Sequence, residues 1–182
     1  EHNPGKFIPE SCRVENSGEM KTKKGVNVPG VSLSMPYMSQ QDKDDLLFGV
    51  EEGFDFVAAS FVRCAADVRE IRRLLDSRHS KMRIIAKIEN QEGVSNLSEI
   101  LAEADGIMVA RGDMGVEIDF TEIPAIQKNM IAQCVACGKP VIACLLGGSE
   151  EAVTKAGLQF GKTTKEAALK AVILGGKKEA EI

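Results

Sequence analysis

The sequence lacks any long apolar segment and any excess of basic charge. Its apolar runs are short and interrupted, well below the roughly 20 residues that span a bilayer, and its first residues show no basic-then-apolar signal pattern. The formal net charge of −4 over 182 residues offers no basic patch for nucleic acid. These absences argue against membrane-spanning, secreted and nonspecific nucleic-acid-binding classes. We expect a cytoplasmic protein that binds neither nucleic acid nor membranes.

Cysteine is also scarce, and its five residues form an odd count at irregular spacing. No disulfide framework is therefore predicted, and reduced thiols are the usual state in the cytoplasm. Cys134 and Cys137 have the spacing of zinc ligands, but no second Cys or His pair completes four ligands. We interpret both as packing residues of a helix, because free cysteine behaves as a small apolar side chain.

What is present is the composition of a globular domain, with 43% hydrophobic and 27% charged residues. From residue 53 onward, apolar runs typical of strands alternate with helix-spaced apolar residues. The expected strands cover residues 54–62, 83–88, 106–110 and 140–144, and the expected helices cover 65–78, a segment around 94–101, and 123–137. Such repeats predict an α/β fold with parallel strands, helical crossovers and burial on both sheet faces. A doubly wound sheet and a (β/α) barrel both fit this periodicity.

Capping and turn signals add further elements. Ser39 followed by Asp42 resembles a helix N-cap with an acid in the first turn. Thr163 and Glu166 form a capping box for a late helix that Gly175 ends. A short strand is also expected around residues 11–16, before an Asn-Ser-Gly turn.

The strand expected at residues 83–88 carries a lysine and a carboxylate at its end. Lys87 and Glu89 share one face, because side chains alternate along a strand. Burying both charges is costly unless they are paired or bound to a ligand. In barrels and open sheets alike, sites form at the carboxyl ends of parallel strands. A structural salt bridge is the alternative interpretation of this pair.

A second acid, Asp113, follows the next expected strand in the pattern Arg-Gly-Asp-x-Gly. Neighbouring strands are expected to bring Asp113 close to Glu89, and two adjacent carboxylates repel unless they share a proton or a cation. Oxygen ligands suit Mg²⁺, which keeps water and substrate oxygens in its remaining positions. The glycines beside Asp113 allow backbone amides to approach a ligand closely.

Several segments, in this order and spacing, closely resemble pyruvate kinase. They are KGVNVPG at 24–30, FVAASFV at 56–62, IIAKIENQEG at 84–93, DGIMVARGDMGVE at 105–117, QK at 127–128 and GKPVI at 138–142. The resemblance covers roughly residues 12–143 and implies the middle of that family's catalytic (β/α)8 TIM barrel. The expected fold is therefore a partial barrel, preceded by a short β remnant of the family's inserted lid domain. By this resemblance residues 1–30 end the lid and form its hinge, 31–146 are the barrel segment, and 147–182 are a helical tail of unclear origin.

The resemblance also implies a role for each site residue. Glu89 and Asp113 are the ligands of a divalent ion, Mg²⁺ or Mn²⁺, that holds phosphoenolpyruvate, and Lys87 is the catalytic cation beside the transferring phosphoryl group. The backbone of residues 110–113 receives the substrate carboxylate. The residues implied in substrate contact are Ser60, Phe61, Ala110, Arg111 and Gly112, and Lys24 is implied on the nucleotide side.

The sequence departs from the family at both ends. After Ile142 the family continues to a Thr that supports protonation of the enolate, but Leu145 stands at that position and cannot donate a hydrogen bond. The family's K⁺ site is missing here, because the first-strand motif with its Arg is not present. The parent is a homo-oligomer that passes phosphate from phosphoenolpyruvate to ADP, giving pyruvate and ATP; this segment alone is expected to turn over little or not at all. A non-catalytic Mg²⁺-binding module and a chimeric scaffold are the alternatives.

Overall fold

The computed structural model describes residues 13–19, 21–22, 28–31, 34–144 and 147–176. The chain divides into two compact units, Glu1–Ile123 and Pro124–Ile182. Two residues named above, Lys24 and Leu145, lie outside the described residues. Within the described part, no helix is both long enough and apolar enough to cross a membrane.

The first unit alternates helices and strands along the chain. Its elements are α1 (Gln40–Glu51), β1 (Phe56–Ala59), α2 (Ala65–Ser77), β2 (Arg83–Ile88), α3 (Gln91–Ser95), α4 (Leu97–Glu103), β3 (Gly106–Val109) and α5 (Arg111–Glu117). The three strands form one parallel sheet in the order β1-β2-β3. The predicted α/β class, with parallel strands and helical crossovers, is confirmed.

Local signals account for where several of these elements begin. Ser39 caps α1, as predicted, and the structure adds a full capping box with Asp42. The α2 helix buries Val68, Ile71 and Leu75, which lie at helical spacing along one side. The helix expected around residues 94–101 is instead divided at Asn96 into α3 and α4, and the Asn96 side-chain amide donates to a carbonyl in the turn after β1.

One face of the sheet packs on helices, and the other is only partly covered. Ile84, Ala86 and Ile88 of β2 are completely buried, and β2 contacts α2, which contacts α4. On the opposite face, Ile85 and Lys87 are half-buried. The described sheet is therefore buried on one face, which corrects the expectation of burial on both. The partly covered face is the one that carries the predicted site.

The second unit contains a short parallel strand pair joined by a helix. Its elements are α6 (Ile123–Ala136), which begins at the boundary, β4 (Ile142–Ala143), α7 (Glu150–Lys155), β5 (Gln159–Phe160) and α8 (Thr164–Leu174). The predicted box at Thr163 and Glu166 caps α8. Residues 147–182, expected to be helical, thus also contain β5, a strand that the pattern did not indicate because two residues show no alternation.

The described residues show neither the predicted N-terminal strand nor a closed barrel. The strand expected around residues 11–16 is not seen in its described part, because residues 13–19 have no regular secondary structure. The lid remnant is therefore not supported by the described residues. The described strands form one sheet of three and one of two and do not close a barrel.

Candidate functional site

Three charged side chains converge at the carboxyl end of β2. Lys87, whose side chain is 20% exposed, pairs directly with the carboxylate of Glu89. The Lys87 Nζ also donates to Ser60 Oγ at 3.0 Å, and Asp113 Oδ2 lies 3.8 Å from the same nitrogen. The structure thus brings together the lysine and both acids that the sequence singled out.

Glu89 follows directly after β2 and is completely buried. Its Oε2 accepts the Phe61 N–H at 2.7 Å. Its Oε1 contacts the Lys87 ammonium as an ion pair but has no hydrogen-bond partner of adequate geometry, alone among the buried side-chain polar atoms of the described residues. A buried carboxylate needs charge compensation and hydrogen bonds. Glu89 therefore has one oxygen held by a backbone N–H and one that faces only the Lys87 ammonium, without a hydrogen bond.

Asp113 differs from Glu89 in burial. It lies in the first turn of α5, and its side chain is 59% exposed. Water can therefore solvate Asp113, whereas Glu89 depends on Lys87 and Phe61. One ammonium thus lies between a buried and an exposed carboxylate.

The segment around Asp113 is helical rather than a loop. The glycine-containing run after β3 forms α5, which begins at Arg111 after an Ala110 N-cap with no side-chain capping bond. Arg111 and Gly112 are exposed, and a Cβ built on Gly112 meets no atom within 4 Å. The backbone amides of a helix's first turn have no intrahelical partner. The backbone amides of residues 110–113, which were expected to approach a ligand, therefore lie at the start of a helix.

The turn after β1 contacts both Lys87 and Glu89. Ser60 and Phe61, expected to border a substrate pocket, supply the hydroxyl to Lys87 and the N–H to Glu89. Phe61 has φ 53, in the left-handed region, which costs an L-residue roughly 1–2 kcal/mol. This turn also ends β1 at Ala59, earlier than the expected strand over 54–62. The strained turn lies where the charged residues meet.

Tyr37 was missed by the sequence analysis and holds this turn from outside. Its Oη donates to the Ser60 carbonyl at 2.8 Å. Burial, with a smaller contribution from the Asp67 carboxylate, raises the pKa of the Tyr37 phenol well above its usual range, so Tyr37 remains a donor. Only its rarity, as the one tyrosine of the chain, marks it in the sequence.

Arg63 and Asp67 form the other half of this support. The Arg63 guanidinium lies 5.8 Å from the centre of the Tyr37 ring, within cation–π range. The two oxygens of the buried Asp67 carboxylate accept from the Arg63 side chain at 2.9 and 3.0 Å, and Oδ2 also accepts the Arg63 backbone N–H at 2.9 Å. Hydrogen bonding to Asp67 raises the pKa of the Arg63 guanidinium. Arg63 lies just before the helix expected at 65–78 and Asp67 in its first turn, and this spacing of four residues was the signal that could have found them.

A cavity of about 420 Å³ lies between α1 and β1, beside this site. Its lining includes Tyr37 and Ser60 but none of Lys87, Glu89 or Asp113. Of the residues that contact the charged cluster, Ser60 also lines this cavity.

The donor set at the carboxyl end of β2 fits a hard divalent cation. Among the residues that the structure describes, no group of three or more His, Cys, Asp or Glu side chains converges as a metal centre. Glu89 and Asp113 instead offer two carboxylates, and Glu89 Oε1 is buried without a hydrogen bond. Mg²⁺ commonly takes one or two carboxylates and completes its shell with water and phosphate oxygens. These residues fit Mg²⁺ or Mn²⁺ better than a closed zinc site.

Comparison with known proteins identifies relatives of most of the chain. The family profile "Pyruvate kinase, barrel domain" matches residues 6–146. A pyruvate kinase of Sporosarcina psychrophila is 59% identical over 130 residues, which is 71% of this chain and 22% of that protein. Pyruvate kinases of Staphylococcus saprophyticus and Staphylococcus aureus are 57% and 53% identical over 132 and 131 residues, 72% of this chain and 22% of each relative. The chain thus spans 22% of the length of these relatives.

Proposed function

This chain belongs to the pyruvate kinase family, and from that premise we propose that it supplies the lysine and the two carboxylates of that family's active site. The observation that carries the proposal is the convergence of Lys87, Glu89 and Asp113 at the carboxyl end of β2. The parent reaction passes phosphate from phosphoenolpyruvate to ADP and gives pyruvate and ATP. Since the chain spans 22% of its relatives, that reaction is part of the proposal, as are a partial barrel fold, a cytoplasmic location and a homo-oligomeric parent.

Glu89 and Asp113 are proposed to hold Mg²⁺ or Mn²⁺. The hydrogen bond from Phe61 fixes Glu89 through Oε2. Oε1, which faces the Lys87 ammonium in this structure, is the oxygen that would turn to the cation when one binds. Asp113 reaches the same end of β2 from the start of α5. When bound, a divalent ion supplies charge neutralisation to phosphoryl oxygens. K⁺ belongs to the parent family, and we assign none of its ligands to this chain.

Lys87 is proposed to act as the cation beside the transferring phosphoryl group and the developing enolate. Phosphoryl transfer depends mainly on positioning and on stabilising charge on oxygens. The bond from Lys87 to Ser60 Oγ and the pairing with Glu89 hold the ammonium in a defined position. A positioned ammonium stabilises negative charge without having to reorganise during the reaction.

The remaining site residues are proposed to bind substrate. Ser60 and Phe61 border the pocket, and the backbone of residues 110–113, above all the Gly112 amide, receives the substrate carboxylate. Arg111 and Ala110 flank that amide at the start of α5. Lys24 is proposed on the nucleotide side, near ADP or ATP.

A second candidate, cation binding without catalysis, is favoured by one observation. Leu145 stands where the resemblance expects a Thr, and its side chain has no donor for enolate protonation. Metal-dependent binding of phosphoenolpyruvate without pyruvate formation would favour this candidate. We propose that the isolated chain shows little or no turnover.

Mn²⁺ binding to the 182-residue chain tests the proposal directly. Free Mn²⁺ is measured by electron paramagnetic resonance during titration of the chain, the Glu89→Gln and Asp113→Asn variants, and Glu122→Gln as an exposed control. Losing either ligand is expected to weaken Mn²⁺ binding roughly tenfold or more, and the control to bind like wild type. Equal affinity in all four proteins contradicts the assignment. A pyruvate assay with phosphoenolpyruvate, ADP, Mg²⁺ and K⁺ then separates the two candidates.

A further inference from the structure

The turn at residues 60–62 requires outside support to keep its contact with Glu89. Phe61 has an unfavourable φ of 53, and strained residues persist only where surrounding contacts over-determine them. The Phe61 N–H donates to a completely buried carboxylate oxygen at 2.7 Å. If the turn relaxed toward ordinary backbone angles, this N–H would rotate away from Glu89.

Supports hold the turn on both sides of Phe61. Before it, the Ser60 carbonyl accepts the Tyr37 hydroxyl at 2.8 Å. After it, Arg63 is tied to the buried Asp67 by side chain and backbone, and the Arg63 carbonyl accepts from Asn96 at 2.9 Å. The Arg63 guanidinium also lies 5.8 Å from the Tyr37 ring centre, which joins the two supports.

We propose that Tyr37 is a positioning residue that, with Arg63, holds the Phe61 N–H on the Glu89 carboxylate and so orients Glu89 for the divalent cation. Tyr37 makes no contact with Lys87, Glu89 or Asp113 among the hydrogen bonds and ion pairs of the described residues. It acts through the Ser60 carbonyl, 23 residues away in sequence. The part concerning the cation rests on the function proposed above; the Phe61–Glu89 contact does not.

Hydrogen exchange at single amides of the 182-residue chain tests this role. Tyr37→Phe removes one hydroxyl and keeps the ring against Arg63. The Phe61 amide is expected to exchange roughly threefold to tenfold faster, the factor that one neutral hydrogen bond supplies, while amides of β2 keep their rates. Arg63→Lys, which loses the two-pronged bond to Asp67, is expected to act in the same direction.

A matched control separates positioning from a general loss of stability. Ile100→Val shortens a completely buried side chain of α4 and is expected to speed the most protected amides together, with no preference for Phe61. Tyr37→Phe behaving like Ile100→Val, or leaving Phe61 exchange unchanged, would overturn the proposal.

Mn²⁺ affinity provides the second readout. Tyr37→Phe is expected to weaken Mn²⁺ binding severalfold, while Ile100→Val binds like wild type at temperatures where both are folded. Faster Phe61 exchange with unchanged Mn²⁺ affinity overturns the orienting role. If wild type binds no Mn²⁺, the proposed function fails, and the exchange rates alone still decide whether Tyr37 holds the Phe61–Glu89 contact.

Discussion

The Lys87 ammonium lies between a buried carboxylate, Glu89, and an exposed one, Asp113. Charge compensation is needed mainly by Glu89, because water cannot reach it. Removing one partner of a buried pair leaves an uncompensated charge, which costs far more than replacing both partners. The stability of this chain should therefore depend on Lys87 only while Glu89 remains a carboxylate.

We expect Lys87→Met to lower the free energy of unfolding by about 3 kcal/mol, the cost of leaving a buried charge unpaired. The double variant Lys87→Met with Glu89→Gln is expected to be more stable than Lys87→Met alone, because no charge is then buried. Urea unfolding of wild type, both single variants and the double variant measures the coupling. Additive losses in this cycle contradict the pairing.

Two glycines near the site differ in what surrounds them. A Cβ at Gly93 meets the Val62 carbonyl oxygen at 2.5 Å, whereas a Cβ at Gly112 meets nothing within 4 Å. We expect Gly93→Ala to destabilise the chain by about 1–3 kcal/mol through overpacking against the turn after β1. Gly112→Ala is expected to leave stability unchanged or raise it by about 0.5 kcal/mol, because alanine favours a helix.

Thermal or urea unfolding checks this pair, with each variant serving as the other's control. Gly112→Ala keeps the backbone amide but adds a Cβ beside it. If this amide receives the substrate carboxylate, the Cβ should crowd that carboxylate and weaken Mn²⁺-dependent phosphoenolpyruvate binding. Similar stability losses in both glycine variants would show that the close approach between residue 93 and the Val62 carbonyl is not the cause of the loss.

At the residue scale, alternation along β2 was sufficient to place Lys87 and Glu89 on one face, and strand adjacency to place Asp113 nearby. Tyr37 could not be predicted in the same way. Its contact joins residues 37 and 60, which no local period relates. Arg63 and Asp67 have a visible spacing, but nothing in the sequence says that they support a turn beside Glu89.

At the scale of elements, Asp105 joins three of them. It lies between α4 and β3, and its Oδ2 accepts the Ile84 N–H of β2 at 2.8 Å and the Arg72 guanidinium of α2 at 2.6 Å. Burial acts to raise the pKa of Asp105, but the hydrogen bonds from Arg72 and Ile84 outweigh it, so the pKa lies below its usual value.

A lowered carboxyl pKa predicts a stability contribution with a defined pH dependence. The contribution is present above the unfolded-state pKa of about 3.9 and is lost as pH falls through the lower folded-state pKa. We expect Asp105→Asn to be less stable than wild type at about pH 7, and the difference to shrink toward about pH 3. Urea midpoints across this range measure it.

Other carboxylates titrate in the same range, so the relevant quantity is the difference in stability between wild type and Asp105→Asn at each pH. Asp76→Asn, at an exposed position near the end of α2, serves as the control and should follow wild type at every pH. A difference between wild type and Asp105→Asn that stays constant on acidification contradicts the role of the carboxylate charge.

The boundaries of elements show where periodicity stops being informative. The limits of β2 were predicted to the residue, because its apolar run is bounded by charged residues on both sides. The early end of β1 was not, because the sequence does not reveal the left-handed Phe61. Asn96 divides α3 from α4 through a bond to the Arg63 carbonyl, which is a tertiary contact.

At the scale of the whole molecule, the three-stranded sheet has one layer of helices from its own unit among the described residues, and two edge strands. β1 and β3 each pair only with β2 among the described strands. Ala58 of β1 and Met108 of β3 are exposed on the face that the described helices of the first unit do not cover. Unpaired edges and uncovered apolar faces favour association between chains.

We therefore expect the 182-residue chain to self-associate as its concentration rises, and Ala58→Lys to reduce this association, because lysine on an edge strand opposes edge pairing. Sedimentation velocity over a concentration series measures it. Ser98→Lys, at an exposed position of α4, adds the same charge away from the sheet and should associate like wild type. If both lysine variants reduce association equally, net charge rather than the open sheet governs it, and if wild type stays monomeric throughout, the uncovered face does not drive association.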